Sequence, residues 1–235
     1  MKNIADQYNK NLLTADPAKA IRYFNTLFPS QCIFSTSLGA EDQVLTRIIA
    51  KEVPGIRIFT LDTGRLFQET YELISITEQK YNVKIGIAFP EHFQVEKMVN
   101  SKGVNLFYDS VENRKECCHV RKIEPLERML KGMKVWITGL RREQSVGRAG
   151  LEMVNWDETQ GILKLNPLIN WTGDEVWKYI RGNKIPYNSL HDKGFPSIGC
   201  LPCTRAVMPG EDFRAGRWWW ESESGKECGL HNNEK

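Results

Sequence analysis

Apolar positions near the start of the chain recur with a helical period, with Ile21, Phe24, Leu27 and Phe28 falling on one stripe. The spacing predicts two helices across residues 3–28, the second begun by Asp16 as N-cap with Pro17 at the first helical position. Residues 31–35, Gln-Cys-Ile-Phe-Ser, form a β-prone run; a small-residue loop follows through Ala40, and helical spacing resumes over 41–51. Residues 56–61 repeat the strand signal and lead through Asp62-Thr63-Gly64 into a predicted helix over 66–81, while 83–88 and 134–138 supply two more strands. Strands alternating with helices predict an α/β fold with a parallel sheet covered on both faces and a ligand site beyond the carboxyl ends of the strands.

After Gly139 the pattern changes. Residues 140–148 make a polar, basic loop; Thr172 with Glu175 three residues on predicts a capped helix over 172–181; regular spacing then fades among Gly and Pro over 182–216. The stretch from Trp218-Trp219-Trp220 to residue 235 is polar and glycine-punctuated and reads as a mobile tail. The expected organisation is one domain over 1–217 followed by a tail over 218–235.

The length of 235 residues suits one globular core, and a net charge of +3 is too small to call for a polyanion, so no nucleic-acid partner is expected. The start lacks the apolar segment of a signal peptide and no later run is long enough to span a bilayer, which predicts a cytoplasmic protein without membrane attachment. Homo-oligomerisation stays open. In a reducing compartment the six cysteines are expected to be ligands or nucleophiles and not a disulfide framework.

Four of them form two pairs. Cys117 and Cys118 are adjacent between charged residues, and Cys200-Leu201-Pro202-Cys203 has the spacing that lets both thiolates of one turn reach a common metal. Neighbours on a helix point about 100° apart, so Cys117 and Cys118 chelate a single small ion poorly, whereas a cluster can offer each its own iron. The spacing thus favours an iron–sulfur cube; a structural zinc, a reversible disulfide between Cys200 and Cys203, and unpaired buried thiols remain the alternatives. Lys122, four residues after Cys118, shares its face if the stretch is helical, and otherwise is a surface lysine. Cys228 stands in the polar tail beside Gly229 with His231 three residues on, a setting for an exposed and activated thiol, whereas Cys32 in an apolar strand reads as inert core.

Two loops carry the remaining candidate chemistry. Ser35-Thr36-Ser37-Leu38-Gly39-Ala40 joins a strand to a helix and could hold an anion on hydroxyls and free N–H groups, or simply turn the chain; it lacks the lysine of a Walker A loop. Leu61-Asp62-Thr63-Gly64-Arg65 follows the next strand, where a base or ribose contact competes with plain helix capping. Arg141, Arg142, Arg148, Arg214 and Arg217 add guanidinium groups suited to bidentate contacts with phosphate or sulfate oxygens, though any one alone would be a solvated surface arginine.

Taken together, Cys117-Cys118 with Arg121-Lys122, Cys200 to Arg205, the loop from Ser35 to Asp42, Leu61 to Arg65, Thr138 to Ser145 and Glu227-Cys228-Gly229-Leu230-His231 resemble the assimilatory adenylyl-sulfate (APS) reductases, within the APS/PAPS reductase family. The resemblance runs from about residue 31 to 231 and implies a fold related to the PP-loop ATP pyrophosphatases, the adenine nucleotide alpha hydrolase-like class. It implies one 4Fe-4S cluster on Cys117, Cys118, Cys200 and Cys203. It also implies reduction of APS to sulfite and AMP, through attack of Cys228 on the substrate's sulfur and release by thioredoxin or a glutaredoxin-like reductant. Carried over by motif, Lys122, Arg214, Arg217, His231 and Arg142 or Arg148 would touch the phosphosulfate, and Ser35, Ser37, Leu61 and Gly139 the nucleotide. Relatives that use 3′-phosphoadenylyl sulfate (PAPS) typically lack the two cysteine pairs, so the full quartet favours APS, with PAPS or both as the alternative. A PP-loop enzyme of tRNA thiolation is a reading of another class; the Ser-Gly-Gly-x-Asp-Ser form of the loop that it needs is absent.

Overall fold

The computed structural model describes residues 2–12, 16–144, 148 and 150–221. Helices α1 (Lys2–Leu12) and α2 (Pro17–Leu27) open the chain, and the Asp16 carboxylate accepts from Ala18 N at 2.8 Å and Lys19 N at 3.3 Å, as an N-cap should. Strands β1 (Cys32–Ser35), β2 (Arg57–Leu61), β3 (Ile85–Ala88) and β4 (Val135–Ile137) fall where the periodicity places them, separated by α3 (Ala40–Glu52), α4 (Gln68–Tyr81), α5 (His92–Lys102), α6 (Val111–Cys118) and α7 (Glu124–Leu130). β1 pairs in parallel with both β2 and β4.

The sequence reading misses a hairpin. β5 (Val154–Asp157) and β6 (Ile162–Leu165) follow the basic loop, β6 parallel to β4 and β5 antiparallel to β6, giving a six-stranded order β3-β2-β1-β4-β6-β5 among the described residues. The sheet is therefore mostly parallel, as expected, with one antiparallel pair at its edge. Each missed strand has four residues, and Lys164 in the middle of β6 breaks the apolar run that marks a buried strand. Helix α8 (Gly173–Gly182) has the expected capping box: Thr172 Oγ1 accepts from Glu175 N at 3.2 Å and Glu175 Oε2 accepts from Thr172 N at 2.7 Å.

The chain divides into two compact units interleaved in sequence. The first comprises Met1–Thr60, Thr70–Gly86 and Gly132–Asn188; the second comprises Leu61–Glu69, Ile87–Lys131 and the described residues of Ser189–Lys235. The core of the first unit gathers α2, α3 and the sheet, with Ile21, Phe24, Phe34, Val44, Val135 and Leu163 all fully buried. Burial of each such side chain contributes about 1.5–3 kcal/mol. The second unit has its own apolar cluster, in which Met98, Leu106, Phe107 and Trp218 pack with Cys117, Cys200 and Cys203. Trp218, read from the sequence as the first residue of the tail, is only 1% exposed. Cys228 and His231 lie outside the described residues.

Candidate functional site

In the second unit α6 begins at Ser110, whose hydroxyl accepts from Asn113 N at 3.1 Å, and ends on Cys117 and Cys118. The next five residues, His119–Ile123, form a π-helical turn before α7, where continuous α-helix is the simplest expectation from sequence. Such turns insert a residue into a helix and recur at functional sites. A 3₁₀ turn, Leu201–Cys203, presents the second pair. Cys117, Cys118, Cys200 and Cys203 all line one cavity, and Arg65, Arg121 and Lys122 line it with them. All five described cysteines are free thiols, so Cys200 and Cys203 are not joined to each other.

The thiols sit in a cationic, partly apolar setting. Burial first of all raises the Cys117 thiol, against a smaller lowering by Arg121; burial and the neighbouring Cys200 push Cys203 up to about 12, with Lys122 and Arg217 opposing. Thr63 Oγ1 lies 3.2 Å from Cys200 Sγ, and Arg121 Nη1 donates to Thr63 O at 2.6 Å. Arg121 Nε and Arg217 Nε are buried without a hydrogen-bond partner among the described residues. Buried donors left unsatisfied in a native fold call for an acceptor. Among the described residues, no group of three or more His, Cys, Asp or Glu side chains is arranged to hold a metal ion as it stands.

Arg114 lines the same cavity and is paired with Glu221. Its Nε and Nη2 donate to Glu221 Oε1 and Oε2, both at 2.9 Å, with the two side chains only 1% and 4% exposed, and its guanidinium lies 4.7 Å from the Trp218 ring centre. Sequence reasoning names neither Arg114 nor Arg65 as a site residue. Arg114 and Arg121 stand three before and four after Cys117, a spacing that puts them on its helical face and could have found them.

The first unit holds Ser35, Ser37, Gly139 and the basic loop. After β1 the chain turns with Leu38 in the left-handed region, φ 61°, a rare conformation for a residue with a branched side chain. Asp42, in the first turn of α3, pulls the turn together: its Oδ2 accepts from Ser37 N and from Ser37 Oγ, both at 2.6 Å. The Gly139 N–H also faces the Asp42 carboxylate, and a Cβ at Gly139 would collide with it, so this position after β4 requires glycine. Burial raises the Asp42 carboxyl to about 6 in spite of the hydrogen bonds from Ser37 that lower it. Ser35 Oγ accepts from Trp136 Nε1 at 2.7 Å. Ser35, Ser37 and Gly139 are thus brought to one end of the sheet, while Leu61, in the second unit, ends β2.

Of the expected arginines, Arg142 donates from Nε to Leu151 O at 2.8 Å and from Nη1 to Asn170, and Arg148 donates to Gln144 within the loop. Arg141, buried, pairs with Glu41 at 2.8 Å and Glu143 at 2.7 Å. In the second unit Arg217 is buried with its guanidinium 4.7 Å from the Trp218 ring centre, and Arg214 N donates to Asp212 Oδ1 at 2.8 Å.

Comparison with known proteins decides what these features belong to. The model of the phosphoadenosine phosphosulfate reductase domain matches residues 31–206. This chain belongs to that family. Within the family it is 55% identical to the adenosine 5′-phosphosulfate reductase of Allochromatium vinosum over 202 residues, covering 86% of this chain and 79% of that protein. It is 51% identical over 199 residues to the enzyme of the same name from Neisseria meningitidis serogroup B, covering 84% and 81%. Among solved structures, phosphoadenylyl-sulfate reductase from Candida auris superposes with a TM-score of 0.76 at 29% identity, covering 88% of this chain and 98% of that one. FMN adenylyltransferase from Candida glabrata, at 16% identity and a TM-score of 0.53 over 93% of this chain and 79% of its own, shares the fold alone. The family's α/β nucleotide-binding fold is thus the one read from the sequence.

Proposed function

We propose that this chain reduces APS to sulfite and AMP in sulfate assimilation, and that the observation carrying this reading is the gathering of Cys117, Cys118, Cys200 and Cys203 around one cationic cavity in a chain this similar to APS reductases. The four thiols, with orphan donors on Arg121 and Arg217 and the Thr63 hydroxyl against Cys200, fit a sulfur-rich anionic group. A 4Fe-4S cluster held by those four cysteines would crosslink α6 to the 201–203 turn and set its charge among the cations of the cavity. The single-ion alternative is weaker, because the adjacent helical residues Cys117 and Cys118 point about 100° apart and chelate one ion poorly.

The chemistry itself belongs to Cys228. Its thiolate attacks the sulfur of APS, the bond from sulfur to the phosphate oxygen breaks, AMP leaves with that electron pair, and the enzyme carries an S-sulfocysteine. One thiol of a thioredoxin-type dithiol then attacks Cys228 Sγ and expels sulfite; its second thiol frees Cys228, and the dithiol ends as a disulfide, supplying the two electrons. With four thiols engaged and Cys32 buried, no cysteine remains to form a disulfide with Cys228, so the intermediate waits for that reductant. Lys122, Arg214, Arg217, His231 and the basic loop serve the phosphosulfate charge, and Ser35, Ser37, Leu61 and Gly139 the nucleotide.

Sulfite release is measured from APS and from PAPS with thioredoxin present. APS is expected to turn over faster; equal or faster turnover of PAPS would overturn the substrate assignment. Incubation with APS alone is expected to add one sulfonate's mass to the peptide containing Cys228, and a label on Cys32 would displace Cys228 as nucleophile.

A further inference from the structure

Ser35, the last residue of β1, and Ser37, two residues on, differ in the direction of their hydrogen bonds. Indole N–H can only donate, so the bond of 2.7 Å from Trp136 Nε1 obliges Ser35 Oγ to accept and leaves its own proton to point elsewhere. Trp136 is Ser35's hydrogen-bonding partner among the described residues, and the serine is partly exposed, so that proton is offered outward. Ser37 has the opposite balance. Its hydroxyl gives its proton to Asp42 Oδ2 at 2.6 Å and accepts from Gly39 N at 3.3 Å, so only a lone pair is left over. The direction at Asp42 is settled by Ser37 N, a donor only, which binds the same Oδ2 at 2.6 Å.

Each arrangement is held from behind. Trp136 is 1% exposed and pairs across the ladder with Lys164 on β6, whose Nζ lies 4.7 Å from the ring centre and fixes the plane of the indole. Asp42 is held in the first turn of α3 against Gly139, where no side chain fits between them.

We propose that Trp136 and Asp42 are positioning residues that give the serines opposite polarity: Ser35 donates to an acceptor atom of the nucleotide, and Ser37 can only accept from a donor. This rests on the reading that the turn binds the nucleotide. It explains why two hydroxyls of the same type occupy one short loop: a nucleotide presents both acceptors, such as ring nitrogens, and donors, such as amine and hydroxyl protons, and a freely rotating serine would discriminate neither.

AMP affinity is measured by calorimetry for the wild type, Ser35→Ala, Trp136→Phe and the double variant. Ser35→Ala is expected to weaken binding about fivefold, the loss of one hydrogen bond. Trp136→Phe is expected to weaken it by a smaller factor, and the double variant to match Ser35→Ala, because an indole acting through Ser35 has nothing to orient once the hydroxyl is gone. Full additivity, or wild-type affinity in Trp136→Phe while Ser35→Ala is impaired, would overturn the polarity proposal and leave the nucleotide reading standing. Wild-type affinity in Ser35→Ala, or no AMP binding by the wild type, would sink both. Should Trp136→Phe fail to fold, ¹⁵N spectra of the seven tryptophan indoles settle the matter without it: one N–H resonance must move both in Ser35→Ala and on adding AMP. An indole set unchanged in either case would overturn the proposal.

Discussion

In the turn after β1, Asp42 accepts from Ser37 N and Oγ, Thr36 Oγ1 accepts from Leu38 N, and Ser37 Oγ accepts from Gly39 N, so the polar groups satisfy one another. In the cysteine cavity the balance is different: four thiols line one space, and among the described residues the buried Nε of Arg121, which lines it too, has no hydrogen-bond partner. The first region is shaped before anything binds, at the cost of a buried carboxylate. The second is an incomplete set of donors and soft ligands that needs a further group to settle its charges. Rigid geometry suits recognition of a nucleotide, whereas an incomplete set couples the folding of its segments to whatever fills it.

The sharpest break of that contrast is removal of one thiol. Cys200→Ala or Cys117→Ala should lose iron and acid-labile sulfide essentially completely on anaerobic purification and melt lower, while Ser35→Ala keeps both. Stoichiometric zinc in the wild type with no iron would refute the cluster. Next is Glu221→Gln, which strips the counter-charge from buried Arg114 and should cost about 3 kcal/mol or more in denaturant unfolding. A loss below about 1 kcal/mol, the value of an exposed pair, would show that the buried pair is dispensable.

A third test concerns the self-sufficient region and depends on pH. Asp42 ordinarily titrates near 3.8 and is lifted to about 6 by burial, so the native state takes up a proton before the unfolded chain does. The cost of burying the carboxylate is therefore full above about pH 6 and gone below about pH 4, and the wild type should gain on Asp42→Asn by up to about 3 kcal/mol as pH falls from 7 to 4. Parallel stability curves for the two proteins would contradict the raised value. The smallest effect is expected from Thr63→Val, which keeps shape and removes the hydroxyl beside Cys200: iron should be retained and stability should drop by about 1 kcal/mol.

Much of this was legible in the chain because it is local. Caps at Asp16 and Thr172, the strand-to-helix turns and the paired cysteines are statements about neighbours in sequence, and each is found in place. The β5–β6 hairpin was not, since Lys164 makes sense in a strand only once Trp136 on β4 is known to lie against it. Trp218 and Glu221 were hidden for the same reason: a tryptophan run in a polar stretch reads as exposed until Arg114, over a hundred positions away, is brought against it. The tie between Asp42 and Gly139 was hidden likewise, since it spans the interval from α3 to the end of β4.

The π turn at His119–Ile123 makes the cavity sensitive to chain length as well as to side-chain chemistry. Deleting a single residue there would restore plain α-helical winding and leave the direction of α7 nearly unchanged, because the turn absorbs the extra residue. What changes is the winding of the turn itself, which carries Lys122. A homologue shortened by one position between the tandem cysteines and α7 would thus keep its four cysteines and present the ammonium beside them differently, a distinction that a catalogue of matching residues would overlook.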